Sequence, residues 1–118
     1  MGFTLTSQDY VNYLNIVHKK IYENGDYISS LDAATGDGDH WSNMNMGLEN
    51  LTAAGDELKS MPIDAAFKKI GMIMMSKIGG SSGILYGGAY MAASKVISGK
   101  NSIDSQDLCN ALEAMVND

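Results

Sequence analysis

Apolar residues return every three or four positions through most of the chain, the period of an α-helix with one buried face. Tyr10, Leu14, Val17 and Ile21 follow Thr6-Ser7-Gln8-Asp9, a capping-box arrangement, and predict a first helix that Gly25 ends. Met44, Gly47, Leu48 and Leu51 mark a second, closed by Gly55. Ser60-Met61-Pro62 opens a third with Pro in its first turn, and Ile63, Phe67, Ile70, Met74 and Ile78 give it the strongest stripe in the chain. Ser81-Ser82-Gly83 opens a fourth, stopping near Gly99, with Leu85, Ala89, Ala92 and Val96 on one face and Gly87 and Gly88 leaving room for close backbone approach. Asp104 caps a fifth, with Leu108, Ala111, Leu112 and Met115, that runs almost to the last residue. Tyr27 to Leu31 is too brief to assign beyond a helical turn. No alternating pattern with turn signals interrupts this series, so the expected fold is all-α with antiparallel neighbours joined by short connections.

A chain of 118 residues fits one domain, 1–118, and its ordinary apolar content argues for a folded, water-soluble protein. Charge narrows the function. Fourteen acidic residues against eight lysines, with no arginine, give a net charge of −6 and speak against nucleic-acid binding. An acidic protein that handles phosphates needs a cation to offset the repulsion, and Mg²⁺ is the usual agent. Cys109 is the only cysteine, which excludes an intrachain disulfide and a cysteine-based zinc site; beside Leu108 and Ala111-Leu112 it reads as a small buried residue. The nine methionines read as core filler, His18 as a residue meeting the helix dipole or solvent, and Lys77 as a solvated charge. With no basic-then-apolar leader and no run long enough to span a bilayer, a cytoplasmic protein without membrane association is expected.

The chemistry concentrates in Leu31-Asp32-Ala33-Ala34-Thr35-Gly36-Asp37-Gly38-Asp39-His40-Trp41-Ser42-Asn43-Met44. On a continuous helix Asp32 and Asp37 would point roughly 140° apart, so a turn must bring them together. Gly36 and Gly38 supply that turn, and an extended Gly38 leaves Asp37 and Asp39 on one side. Three hard oxygen ligands then converge in a set that suits Mg²⁺, which keeps several waters and takes phosphate oxygens from a substrate. The following helix start adds free backbone N–H groups around His40 to Asn43 for the same anion. The competing reading is a solvated Asp/Gly turn with Asp39 as an N-cap. An EF-hand is disfavoured, because a loop starting at Asp37 would need Gly at Ser42 and Glu at Leu48, and no P-loop lysine motif is present. His40 reads as a phosphate contact or merely a helix-terminal polar residue, both ahead of a proton-transfer role. Gly79-Gly80-Ser81-Ser82-Gly83 is a second candidate, since glycines followed by hydroxyls at a helix start can cradle phosphate, although an ordinary helix-to-helix turn has the same pattern.

Taken together, Asp32-x4-Asp37-Gly38-Asp39-His40 with Asn43-Met44, then Gly79-Gly80-Ser81-Ser82-Gly83 and Leu85-Tyr86-Gly87, resemble the nucleotide-binding L subunit of bacterial dihydroxyacetone kinase. The resemblance implies a barrel of antiparallel helices with ADP or ATP at one end, bound through two Mg²⁺ ions. By position it implies Asp32, Asp37 and Asp39 as metal ligands. His40, Trp41, Ser42 and Asn43 would lie along the phosphates, and Ser81 and Ser82 would reach them from the facing helix start. In the phosphotransferase-system type it implies two partners: a phosphocarrier M subunit that rephosphorylates bound ADP, and a K subunit that holds the dihydroxyacetone receiving the phosphate.

Two positions depart from the pattern: Trp41 stands where the family usually has Gly, and Ile84 where it often has Pro. A bulky indole is expected either to crowd the phosphate approach or to stack on a partner. The chain also corresponds to the N-terminal part of the family domain, about half of the expected eight-helix barrel, without the later arginine and nucleotide contacts. Such a half would expose apolar faces, so either further chain completes the barrel or the half associates with itself. Two other functions compete: the nucleotide-binding domain of a fatty-acid-kinase-like enzyme, and a truncated, catalytically silent regulatory or interaction protein.

Overall fold

A computed structural model describes residues 3–35, 40–78 and 80–117. These residues form seven helices: α1 Ser7–Glu23, α2 Gly25–Thr35, α3 His40–Ala53, α4 Gly55–Lys59, α5 Ile63–Lys77, α6 Gly80–Val96 and α7 Ser105–Asn117. The all-α expectation holds. Among the described residues no strand forms, and no helix is long and apolar enough to cross a membrane.

Helix starts follow the local chemistry. Thr6 and Asp9 make the reciprocal capping box, with Thr6 N–H donating to Asp9 Oδ2 at 3.0 Å and Asp9 N–H to Thr6 Oγ1 at 3.2 Å. Asp104 caps α7 in the same way, accepting from Asp107 N–H at 2.8 Å and donating its own N–H to the Asp107 carboxylate. That backbone hydrogen bond, helped by Lys100, holds the Asp107 carboxyl below the usual aspartate range. Two glycines act otherwise than expected: Gly25 and Gly55 do not close helices but begin α2 and α4, because Asn24 and Ala54 already interrupt the helical path. The segment around Tyr27 to Leu31 is accordingly a full helix.

Helices α1, α3, α5, α6 and α7 pack as successive neighbours, with α4 against α1 and α2 resting on α3. Leu48 and Leu51 of α3 cluster with Val11 and Leu14 of α1, Leu58 of α4, the α5 stripe Ile63, Phe67, Ile70 and Met74, and Ile78 just past its end, all buried. The expected stripe of α6 is not its inner face. Leu85 and Val96 are 68% and 48% exposed, while Gly83, Gly87, Ala93 and Ile97 turn inward. Backbone proximity decides this, because a Cβ on Gly71 would stand 2.9 Å from the Gly87 carbonyl oxygen, an approach that only the small-residue side of α6 permits.

Other side chains also depart from expectation. Cys109 is exposed, since α7 turns Ala111 inward and 109 falls on the other side. His18 continues the inner stripe of Val11 and Leu14, and its Nε2 is closed off from solvent with no hydrogen-bond partner. Of the methionines, Met74 fills core, whereas Met46, Met72 and Met75 are exposed. Lys77 is exposed, as expected. An antiparallel pair of backbone hydrogen bonds joins Leu5 to Ile103, and Ser7 Oγ donates to the Met61 carbonyl at 2.6 Å, fastening the first residues to the far end of the chain and to the α4–α5 turn.

Candidate functional site

The acidic motif spans a helix-to-helix junction. Asp32 falls in the last turn of α2, α3 begins at His40, and four residues, Gly36 to Asp39, lie between them. Asp37 and Asp39 are outside the described residues, as are the side chains of Asp32 and Ser81 and the whole of Gly79. Among the described residues no three histidine, cysteine or acidic side chains gather.

From His40 onward the geometry is clear. His40, Trp41 and Asn43 are half-buried and Ser42 is exposed in the first turn of α3. Asn43 shares a face with Gly47, one turn later. Gly47 lies directly against the side chain of Ile78, so closely that a Cβ there would overlap it. Ile78 is the residue before Gly79, and its carbonyl in turn sits where a Cβ on Gly83 would fall. The start of α6 is therefore packed tightly against the end of α5, and Ile78 is pressed onto α3 one turn below Asn43. Ile78 and Asn43, 35 residues apart in sequence, thus share one side of α3. Ser82 is half-buried at this turn, in the first turn of α6.

Trp41 points elsewhere. Its indole N–H donates to the Ile21 carbonyl, in the last turn of α1, at 2.7 Å. The ring lies over Gly25, where a Cβ would stand 2.7 Å from Cε2 and 2.9 Å from Cζ2, and it meets the Tyr22 ring at a centroid distance of 6.3 Å. The indole donor expected to meet a nucleotide is thus engaged by the protein itself. Beside it, Tyr22, Glu23, Gly25, Asp26 and Ser29 complete a hollow of about 310 Å³ whose two carboxylates disfavour a phosphate.

Gly25 and Gly47 were legible in the sequence only as a helix terminator and as a member of an apolar stripe. Their roles as receiving surfaces for Trp41 and Ile78 depend on tertiary pairing, for which a lone glycine gives no signal.

The DAK2 domain model matches residues 34–118, taking in the His40–Asn43 turn, Asp37, Asp39 and the Gly79–Gly83 turn, and starting just after Asp32. The chain belongs to the DAK2 domain family. Within this family it is similar to the ADP-binding subunit DhaL of PEP-dependent dihydroxyacetone kinase 1 from Listeria innocua, with 40% identity over 104 residues, 88% of this chain and 52% of that protein. The ADP-binding subunit DhaL of the PTS-dependent dihydroxyacetone kinase from Lactococcus lactis is 39% identical over 112 residues, 94% of this chain and 57% of its own length. The PEP-dependent ADP-binding subunit DhaL of Escherichia coli is 28% identical over 105 residues. This DAK2 chain spans about half the length of the curated relatives it matches.

Proposed function

We propose that this chain supplies the Mg·ADP-binding half of a dihydroxyacetone kinase L subunit. The observation that supports the reading is the packing of Ile78 on Gly47, which brings the end of α5, next in sequence to the Gly79–Gly83 motif, against α3 one turn below Asn43. Asp32, Asp37 and Asp39 would hold Mg²⁺, two ions in the reading the family suggests, and the metal would neutralise phosphate oxygens in a chain whose own charge is −6. His40, Ser42 and Asn43 at the α3 start, with Ser81 and Ser82 opposite, would donate hydrogen bonds to those oxygens. Phosphoryl transfer asks mainly for positioning and charge stabilisation, which this arrangement provides without a covalent role for any side chain. In that role ADP is rephosphorylated by a phosphocarrier M subunit, and the phosphate passes to dihydroxyacetone on a K subunit, all in the cytoplasm. The helix row α1, α3, α5, α6, α7 would be one part of a larger helical barrel.

Isothermal titration of the folded chain with ADP tests the reading. Binding is expected with Mg²⁺, and its loss with EDTA or in Asp37→Asn. A folded wild-type chain that takes up no Mg·ADP sinks the proposal. The competing reading is a catalytically silent partner of other helical subunits. Reconstitution with K and M subunits separates the two, because sustained dihydroxyacetone phosphate formation excludes silence.

A further inference from the structure

The contacts of Trp41 give this residue a use different from touching the nucleotide. At its ring the end of α1, the start of α2 and the start of α3 meet: the indole N–H is bonded to Ile21, the ring covers Gly25, and its own backbone is the second residue of α3. Gly25 and Trp41 are the two ends of the segment that carries Asp32, Asp37 and Asp39. Between Thr35 and His40 the chain has only four residues, so the distance they must bridge is set by how α2 is held relative to α3.

The α2 helix has little else to hold it. No residue of α2 whose side chain is described is fully buried, and α3 is its chief packing partner. The Ile21 carbonyl belongs to the last turn of α1, where carbonyls lack intrahelical acceptor use; Asn24 N–H reaches it at 3.2 Å and the indole at 2.7 Å. A large aromatic ring with a buried donor is costly to displace from such a slot, and a glycine opposite is the only residue that admits it.

We infer that Trp41 and Gly25 form a clamp that fixes the start of α2 to the start of α3, and that Trp41 thereby positions the aspartate junction for Mg·ADP without contacting the nucleotide. The positioning consequence rests on the Mg·ADP reading above, whereas the clamp itself does not. It also accounts for how this chain tolerates a tryptophan in the first turn of α3: the indole is stowed against α1 and leaves the side of Asn43 and Gly47 clear.

The test uses the full chain and four variants. Gly25→Ala puts a methyl group into the ring without touching the phosphate side, Trp41→Phe keeps the ring but removes the donor, and Trp41→Gly removes both. The fourth, the Gly25→Ala and Trp41→Gly double variant, has no ring left for the methyl group to meet. Amide hydrogen exchange without ligand should speed up in residues 25–35 and 40–43 of both Gly25→Ala and Trp41→Phe, with α5 and α6 unchanged. Mg·ADP affinity should fall about tenfold in Gly25→Ala and about threefold in Trp41→Phe, and the double variant should bind no worse than Trp41→Gly, the non-additivity expected of two groups in contact. Unchanged exchange in Gly25→Ala and Trp41→Phe overturns the clamp. Faster exchange with unchanged affinity overturns the positioning role. Additive losses in the double variant show that Gly25 and Trp41 act separately and overturn the pairing. If the wild-type chain does not bind Mg·ADP at all, the functional reading fails on its own, and the exchange arm alone decides the clamp.

Discussion

The two sides of the aspartate junction are built in opposite ways. On the α5–α6 side, glycines let backbone meet backbone: Gly71 faces the Gly87 carbonyl, and Gly83 folds onto the carbonyls of Ile78 and Met74. On the α2 side, a single indole fills the space over a single glycine. A wall of apposed main chain has no side chain that can move aside, whereas a wall held by one ring can be shifted by small changes around that ring. The first is set by main-chain packing, and the second is where geometry can be tuned.

The largest expected effect therefore lies in the α5–α6 wall. Gly83→Ala should cost about 3 kcal/mol in urea unfolding, the upper end of overpacking penalties, because the obstructing atoms are backbone carbonyls. A loss below about 1 kcal/mol would mean that the wall yields, and the contrast would collapse.

Next comes pH, through the tie that links the two halves of the helix row. The Tyr10 and Tyr90 hydroxyls are hydrogen-bonded to each other, and burial, foremost, pushes both phenols above their ordinary range. Native phenols keep their protons while unfolded ones lose theirs, so stability is fully present below the unfolded value near pH 10 and declines as pH rises above it. The decline should approach about 1.4 kcal/mol per pH unit for each tyrosine. Tyr10→Phe should remove its share, roughly halving the slope, and an equal slope in that variant would assign the loss elsewhere.

Gly25→Ala should cost about 1–2 kcal/mol, less than Gly83→Ala, since the ring it meets can swing at the expense of one hydrogen bond. An equal or larger cost would show that the indole wall is as unyielding as the backbone wall. Smallest is Asp104→Ala, remote from both walls. Losing the α7 cap should cost about 1 kcal/mol and leave Mg·ADP affinity unchanged.

Much of this fold could be read from periodicity where one helix face is apolar and the opposite face is not. The stripe from Ile63 to Ile78 and the capping pairs at Thr6 and Asp104 are of that kind, local in origin. Helix α6 was legible in extent but not in orientation: its hydrophobicity is spread around the helix, and glycine contact with α5 chooses the inner face over Leu85 and Val96. Cys109 was misjudged because neighbours in sequence are not neighbours on a helical face. At the candidate site, residue types and spacing located both motifs and the family, and the DAK2 match agrees. The direction of the Trp41 ring was not readable, because it depends on Gly25, sixteen positions earlier, being free of a Cβ.

The hydrogen bonds between Leu5 and Ile103 join segments from nearly opposite ends of the chain. Neighbouring helices such as α5 and α6 can associate after closing a short turn, but this bridge has to close almost the whole chain, at a higher entropic cost before any contact rewards it. The order of assembly follows. The α5–α6 pair is the natural nucleus, and the N-terminal residues dock last, so substitutions at Leu5 should hasten unfolding while leaving the folding rate nearly unchanged.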